Sequence, residues 1–541
     1  MVWQHCHWQD MAPSTTIVST RAKKIIGLRY WMFQVLEECD RVSADFGADP
    51  VHDLRVSLRR CRSLADGLIA LDPDPNWKAM KKAGKRLFQR LGALRDTQVM
   101  MEWVEKLERI PPAVHADSSP ALLQTEPNHD PPHDLTGRSL LEILRGREKE
   151  QKLDAHAALE EFDRKQWRQW SKSLPARAAR FRLGSALFKH LALERWIAAR
   201  ELHNRALRNR SQAAFHELRI GIKRFRYIVE NFLPVEHKAW SSDLKEMQDL
   251  LGDVHDLDVF WGTAVSCHIF PDIDSRNHWH KRILAERTKR IDRYRVKMIG
   301  PDSLWNIWRA ALPQGKQIQI LALRRMKLWA NSLDPDFAHS ERVACLSLQL
   351  YDGLLVWGWQ PYVDGMSARS SLLAAALLHD VGKTKGQKGH HKASFDMIRS
   401  HGDPLGWSAA DMRRAAVVAR FHRGALPTRR HKLLSDFLPD EQKAVIELAA
   451  ILRLANALDA AHDGHIRRIQ IGNAQSKAGN QKKSSNGLLR KPATAPGHEA
   501  LIIAAEGYTA SSSTARTVAA ERHLLETVLH RPVVIKPFKP S

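Results

Sequence analysis

Apolar residues recur along most of the chain at three- and four-residue spacing, among abundant Ala, Leu, Arg and Lys. That period lines one side of a helix, so the pattern predicts helices through most of the chain before position 465. Two segments break it. Residues 111–138 carry Pro111, Pro112, Pro127, Pro131 and Pro132 among polar residues and read as loop. Residues 473–498 are rich in Ser, Lys, Asn and Gly and read as a disordered insertion. Around that insertion the period changes. Residues 466–471 alternate, 500–504 form a short apolar run, and 533–536 follow a helical stretch ending near His530. The fold expected is mainly α, closing in a small C-terminal β-sheet with one helix beside it.

The pattern also repeats. His52, Arg55, Arg59, Arg60 and Arg62 match His216, Arg219, Lys223, Arg224 and Arg226, position for position. Further on, Leu91, Gly92, Arg95 and Asp96 match Leu251, Gly252, His255 and Asp256, at nearly the same offset. Two patterns in one order at nearly one spacing predict a duplicated helical unit across the first ~300 residues. On a helix, His52, Arg55, Arg59 and Arg62 share one face, with Leu54, Leu58 and Cys61 opposite. His216, Arg219, Lys223 and Arg226 repeat this against Leu218, Ile222 and Phe225. Lys78, Lys81, Lys82, Lys85 and Arg86 add a third basic run. Guanidinium forks meet phosphate oxygens bidentately, and lysine adds a point charge. Two such stripes are expected to face each other across a groove that holds a long, regularly charged anion; a solvated charged face is the plain alternative. Asp96, Asp253, Asp256 and Asp258 are expected to orient the arginines by ion pairs.

Composition supports an anionic partner. The 541 residues carry 84 Lys and Arg against 60 Asp and Glu, a formal net charge of +24. Such an excess predicts nucleic acid, anionic lipid or polyphosphate as partner. No stacking sheet or helix-turn-helix signature accompanies it, which sets nucleic acid aside. The longest apolar run, 371–378, is far short of the ~20 residues that span a bilayer. The N-terminus lacks a basic stretch followed by an apolar one, so no secretory signal is expected. Cys6, Cys39, Cys61, Cys267 and Cys345 lie far apart with no CxxC spacing, which points to a reducing cytoplasm and away from a disulfide framework. The length suggests two to four domains. The 27 histidines direct attention to metal or phosphate chemistry.

At the repeated basic helix the chain resembles the CHAD family, the conserved histidine α-helical domain, over roughly 17–310. The resemblance implies two pseudo-symmetric helical bundles, repeat 1 at 17–110 and repeat 2 at 180–300, and binding of inorganic polyphosphate in a basic channel. Carried over by motif position, the binding residues are His52, Arg55, Arg59, Arg60, His216, Arg219, Lys223 and Arg224; Lys82 and Arg226 join them from the adjoining charge. His255 stands where the first copy has Arg95, a weaker phosphate contact. Glu148, Glu150 and Lys152 spell the ExExK signature of a CYTH triphosphatase, but in a helical stretch, and are read as an accidental match.

Residues 317–541 differ in character. An apolar helix ends in His379 and Asp380, and Gly382 is expected to let the chain turn. Adjacent His and Asp suit a divalent ion that activates water. His339, upstream near the start of the preceding helix, and Asp459, at the end of the helix 449–458, complete an ordered set. That set resembles the HD metal-dependent phosphohydrolase superfamily. The segments around His390, His391 and Ser394, around Arg420, His422 and Arg423, and from 448 to Asp459 resemble the C-terminal HD-type domain of the exopolyphosphatase/guanosine pentaphosphate phosphohydrolase family, over about 320–540. That family's exopolyphosphatase chemistry resides in an N-terminal actin-like fold that this sequence lacks, so its activity is not carried over. The resemblance implies an α-helical HD-type domain with a metal (Mn, Mg, Fe or Zn) on His339, His379, Asp380 and Asp459. Asp380 and Lys383 are the catalytic candidates. His391, Arg420, His422 and Arg423 are secondary phosphate candidates, with Arg453 beside them; His391 and His422 are also candidates for a second ion.

Two readings stay open. One joins polyphosphate binding to a phosphohydrolase acting on polyphosphate or on a nucleotide phosphate. The other is a non-enzymatic, granule-associated polyphosphate-binding module with a degenerate HD fold. Neither expects a membrane, and the oligomeric state is not legible.

Overall fold

The computed structural model describes residues 27–44, 46–108, 135–361, 367–472 and 500–538. Most of the expected proline-rich loop and all of the insertion 473–498 lie outside them. The chain divides into two compact units, one spanning Thr20–Gln314 and the other built on Gly315–Ser541. Among the described residues no helix is long and apolar enough to cross a membrane.

The N-terminal unit is helical throughout. Its first copy comprises α1 (Leu28–Ala44), α2 (Ala48–Ile69), α3 (Pro75–Ala83), α4 (Lys85–Glu108), α5 (Leu135–Glu160) and α6 (Arg164–Ala178). The second comprises α7 (Ala186–Asn209), α8 (Gln212–Phe232), α9 (Pro234–Ser266), α10 (Ile273–Met298) and α11 (Leu304–Ala310). The continuous α9 stands where the first copy breaks at Gly84 between α3 and α4. Helices α5 and α10 are both 26 residues long. The offset between their first residues, Leu135 and Ile273, is also the offset between the buried pairs Trp167/Trp170 on α6 and Trp305/Trp308 on α11. Each pair meets edge-on, with ring centroids 6.4 and 5.6 Å apart. Trp167 Nε1 donates to Met32 O at 3.0 Å, and Trp196 Nε1 to Trp305 O at 3.2 Å. In each copy an indole thus ties the last helix to the first. By these contacts α6 stands to α1 as α11 stands to α7.

Leu54, Leu58, Cys61, Leu218, Ile222 and Phe225 are fully buried, so the apolar faces of α2 and α8 form core. Burying a Leu, Ile or Phe side chain contributes about 1.5–3 kcal/mol. The copies meet where Asn231 Nδ2 donates to Ser63 Oγ (3.0 Å) and Phe232 packs on Gly67, so closely that a Cβ there would overlap its ring. A second shared core joins Trp103, Val104 and Leu107 of α4 to Leu257 and Phe260 of α9.

The C-terminal unit comprises α12 (Lys316–Leu333), α13 (Phe337–Val356), α14 (Ala368–Leu378), α15 (His390–Ser400), α16 (Ala409–Arg420), α17 (Pro439–Leu458), α18 (Ser513–Glu521) and α19 (His523–Leu529). Pro439 opens α17, with Asp440 and Glu441 in its first turn, where helix geometry and dipole favour them. From Ala444 onward α17 is apolar nearly all round and buried, the mark of a central helix. Strands β1 (Ile469–Gly472), β2 (Leu501–Glu506) and β3 (Val533–Phe538) form the sheet, β1 antiparallel and β3 parallel to β2. Leu501, Ile503 and Ala505 alternate into the core. The single helix expected beside the sheet is two, α18 and α19, with Arg522 between them; its guanidinium donates to Val533 O at 3.1 Å and ties the junction to β3.

Candidate functional site

Asp380 is the meeting point of the C-terminal unit. Helix α14 delivers it, opened by Ser367, whose Oγ accepts from Ser370 N, and ending at His379. The chain continues through a 3₁₀ turn at Val381–Lys385. Gly382 serves space rather than the turn expected of it: its backbone is not left-handed, but a Cβ would strike the His390 carbonyl and Ser394. Its N–H donates to Ser394 Oγ at 2.9 Å, drawing α15 onto the turn.

Two groups of ligand atoms share Asp380. Those of His339, His379 and Asp380 lie within 4.8 Å of one another, and so do those of Asp380, His390 and His422. All five side chains are buried. Asp380 Oδ2 faces His379 Nε2 at 3.3 Å and His339 Nε2 at 3.9 Å. Oδ1 faces His390 Nε2 at 3.1 Å and His422 Nε2 at 3.7 Å. Lys383 Nζ pairs with Oδ2.

Backbone carbonyls fix three of the rings. His379 Nδ1 bonds Ala376 O (2.7 Å), His422 Nδ1 bonds Ala419 O (2.7 Å), and His390 Nδ1 bonds Gln387 O (2.9 Å). A carbonyl only accepts, so each Nδ1 carries the proton and each Nε2 turns a lone pair toward Asp380. Two of these carbonyls belong to the last turns of α14 and α16, where helices leave acceptors unpaired. As a result the Nε2 atoms of His390 and His422 lie 3.2 Å apart, and His379 Nε2 is buried with no hydrogen-bond partner. Lone pairs converging on a carboxylate, each ring held from behind, are the arrangement a metal ion needs.

The electrostatics agree. Burial alone would push the Asp380 carboxyl up, but the positive charge that His379 first, and then His390 and His422, carry when their Nε2 atoms take up protons holds it far below the usual carboxylate range. Burial, reinforced by His379, pushes His422 well below the ordinary imidazole value and keeps it neutral. At His379 burial is outweighed by Asp380, which raises it, so a proton and a cation compete for its Nε2.

Asp459 lies behind this centre rather than in it. Its Oδ2 accepts from His339 Nδ1 at 2.7 Å, and both oxygens accept from Arg342 Nε at 3.0 and 2.9 Å. Arg342 sits one turn beyond His339 on α13 and captures the carboxylate. In this geometry Asp459 backs His339 at its Nδ1, and the further ligand atoms grouped with Asp380 are those of His390 and His422. His339 Nε2 is 3.0 Å from Asn456 Oδ1, a contact it must release before it can ligate. His462 stacks on His339 at 3.8 Å, and its Nδ1 bonds Asp336, the N-cap of α13. His390 escaped the sequence reading although a signal existed: His390, Ser394 and Ile398 are the buried positions of α15 at four-residue spacing, which turns His390 inward and His391 aside. Arg453, read as a phosphate candidate, is engaged within the protein. It donates to Phe421 O and Gly424 O and pairs with Glu521.

In the N-terminal unit, α2 and α8 bring Arg55, Arg59, Arg219 and Lys223 into one electrostatic cluster with Asp96 of α4 and Asp256 of α9. The Arg55–Asp96 pair is loose, at 3.9 Å, and Arg219 Nε is buried without a partner. Burial, then Arg219, Arg59 and Arg55, push the Lys223 ammonium down to about 7. Burial raises Asp256 to about 6 against the pull of Arg219. His216 Nδ1 lies 3.1 Å from His255 Nδ1, and burial and Arg219 push His255 down to about 4. His52, Lys82 and Arg224 are exposed. Arg226 leaves the stripe and, with Arg60, converges on Glu230 at 3.8 and 2.5 Å, and Arg62 donates to Lys81 O. Asp253 and Asp258 pair with Arg290 and Arg287 of α10 rather than with the motif arginines.

The chain thus joins a duplicated helical unit carrying a half-buried cationic cluster to a helical unit centred on His and Asp. Residues 32–264 match the CHAD domain and residues 324–492 match Ppx/GppA phosphatase, domain III, so the chain is a fusion of these two family domains. No curated protein matches it.

Proposed function

We propose that the N-terminal unit binds inorganic polyphosphate and that the C-terminal unit is a metal-dependent phosphohydrolase acting on polyphosphate or a nucleotide phosphate. The observation that carries the second half is the convergence of four buried imidazoles on Asp380, three of them with the tautomer preset. His339, His379 and Asp380 would hold one ion, and Asp380, His390 and His422 a second. Four imidazoles to one carboxylate favour Mn, Fe or Zn over Mg. Such ions supply a polarised phosphoryl oxygen and an activated water when bound. Lys383, paired with Asp380 and one-tenth exposed, is placed to neutralise charge on a phosphoryl oxygen. Burial of the centre strengthens that interaction by excluding water. The cationic cluster supports the first half: four cations against two acids leave an excess that a polyanion relieves.

The test is phosphate release by the full chain from tripolyphosphate and from nucleotides, with Mn²⁺, Fe²⁺, Zn²⁺ or Mg²⁺. Release with an imidazole-preferring metal, abolished by Asp380→Asn, is the expected outcome. The Lys383–Asp380 ion pair favours one other reading, a scaffold in which an ammonium takes the place of a metal. Absence of turnover and of metal uptake with every ion would select it.

A further inference from the structure

Beside His390 and His422 lies charge that the metal-binding set leaves unused. His391 follows His390 on α15, Arg420 closes α16, and Arg423 follows His422. The His391 ring is 5.9 Å from that of His390 and 6.3 Å from that of His422. Two nitrogens here, His391 Nδ1 and Arg420 Nη1, are buried and bond nothing. Leaving such a group buried and unpaired is costly, and more so when it carries charge. Arg420, Arg423 and Lys392 all act on His391, and the acid acting on Arg420 is Asp396, on the next turn of α15. The result is a cationic corner built from two helices and the turn after α16, adjacent in sequence to two metal-ligand candidates.

We infer that His391, Arg420 and Arg423 form a second phosphoryl subsite, which holds the group next to the one at Asp380 and makes the C-terminal unit selective for phosphoanhydrides over phosphate monoesters. The inference rests on the phosphohydrolase reading above. Donors that approach from separate elements call for a ligand with acceptor oxygens on several sides, and a phosphoryl group has three where a carboxylate has two. In the reaction, water oxygen forms the new bond to phosphorus and the bridging P–O bond breaks. Its electron pair stays on the leaving phosphate, where Arg420 and Arg423 meet the charge. One water proton remains on the new phosphate, and the other passes to the leaving phosphate or to solvent. A monoester presents only an alcohol there and gains nothing from the corner.

The experiment maps chemical modification on the full chain loaded with Mn²⁺. Phenylglyoxal labels Arg423, which is exposed, and diethyl pyrocarbonate labels His391. Peptide mass spectrometry follows both rates. Tripolyphosphate should slow both by about tenfold, and p-nitrophenyl phosphate by less than about twofold, as expected of a site that needs a second phosphoryl group. Equal rates with and without tripolyphosphate overturn the subsite. A nucleoside triphosphate is the parallel arm: protection by both probes fixes the shared anhydride, and protection by one alone names the source. Hydrolysis is measured alongside. Protection without turnover keeps the subsite and removes the hydrolase reading, whereas turnover without protection removes the subsite alone. Arg420→Gln adds a kinetic readout, a fall in kcat/KM for tripolyphosphate about tenfold greater than any fall for the monoester, the cost of a charged hydrogen bond.

Discussion

The cationic cluster and the metal centre candidate are built on opposite principles. The cluster uses long side chains, half buried, drawn twice from one helical pattern. The centre uses short side chains, fully buried, drawn from α13, α15 and the ends of α14 and α16, with His379 and Asp380 adjacent. Charge adds over many residues, so the cluster tolerates drift between its copies. His52 is exposed where its counterpart His216 meets His255, and Arg95 pairs with Glu102 where that His255 stands. Coordination does not add in this way. Each ring at Asp380 has one usable nitrogen, and for three of the four a backbone carbonyl selects it. The cluster should therefore fail by degrees and respond to salt, and the centre should fail at single positions and respond to chelators.

The largest effect expected is at Asp380. Its two oxygens serve both groups of ligands, so Asp380→Asn should lower metal affinity at least about 100-fold, beyond the range of outer-shell changes. Polyphosphate binding by the N-terminal unit should stay within about twofold. Metal content after dialysis, set beside a polyphosphate titration, checks both halves. Coupled losses would break the contrast between the two regions. Next is Arg55→Gln with Arg219→Gln, which should weaken polyphosphate binding about 10–100-fold at low salt. By analogy with single-stranded nucleic acid, the slope of log K against log salt should shrink by about 1.4, or 0.7 for each lost contact. Metal content should not change. A slope that stays the same would place the polyanion elsewhere.

What the sequence made legible follows the same divide. Repetition exposed α2, α8 and their arginines, because two copies of a charged stripe stand out from a single solvated one. The correspondence of α5 and α6 with α10 and α11 was not legible. There the letters have diverged, and only the shared 26-residue helix and the tryptophan pair, whose roles need the packing partners Met32 and Trp196, mark it. In the C-terminal unit the order His339, His379, Asp380, Asp459 was readable. The division of labour within it was not. Arg342 claims Asp459 from a distant part of the chain, a contact that no local spacing announces. Arg226 shares a helical face with Arg219 in projection, but Glu230 one turn on takes it out of the cluster, and the same carboxylate takes Arg60 across the α2–α8 contact.

Asp459 offers a finer test of the metal centre. If it holds His339 from behind, Asp459→Asn should lower metal affinity about 10–100-fold, the usual cost of losing an outer-shell partner. The loss should be partial, because an amide oxygen still accepts from His339 Nδ1. A defect as complete as that of Asp380→Asn would place Asp459 among the ligands and return the centre to the His, His-Asp, Asp set. Metal titration of the two variants side by side separates these outcomes.

The smallest effect expected is the pH dependence of polyphosphate binding, and Lys223 sets its sign. Arg55 and Arg59 of α2, Arg219 of α8 and Asp256 of α9 surround this ammonium, with His255 and Asp96 in the same cluster. In the free protein it titrates at about 7, because burial and three guanidinium groups oppose its charge. A bound polyanion offsets those guanidinium charges and raises the value, so binding takes up a proton wherever Lys223 starts neutral. Affinity should therefore fall as pH rises above about 7, by at most about tenfold per pH unit for one proton, and level off below it. Asp256, raised to about 6, loses its charge under mildly acidic conditions and removes an anion from the cluster, so a shallower gain continues there. Lys223→Arg keeps the charge at every accessible pH and should flatten the alkaline limb while leaving the acidic one. Titrations of polyphosphate into both proteins between about pH 6 and 9 check this, with Arg219 and Arg55 intact to hold the ligand. A wild-type profile already flat above neutrality would mean that the polyanion does not reach Lys223, and the cluster would divide into a binding rim of arginines and a structural lysine behind them.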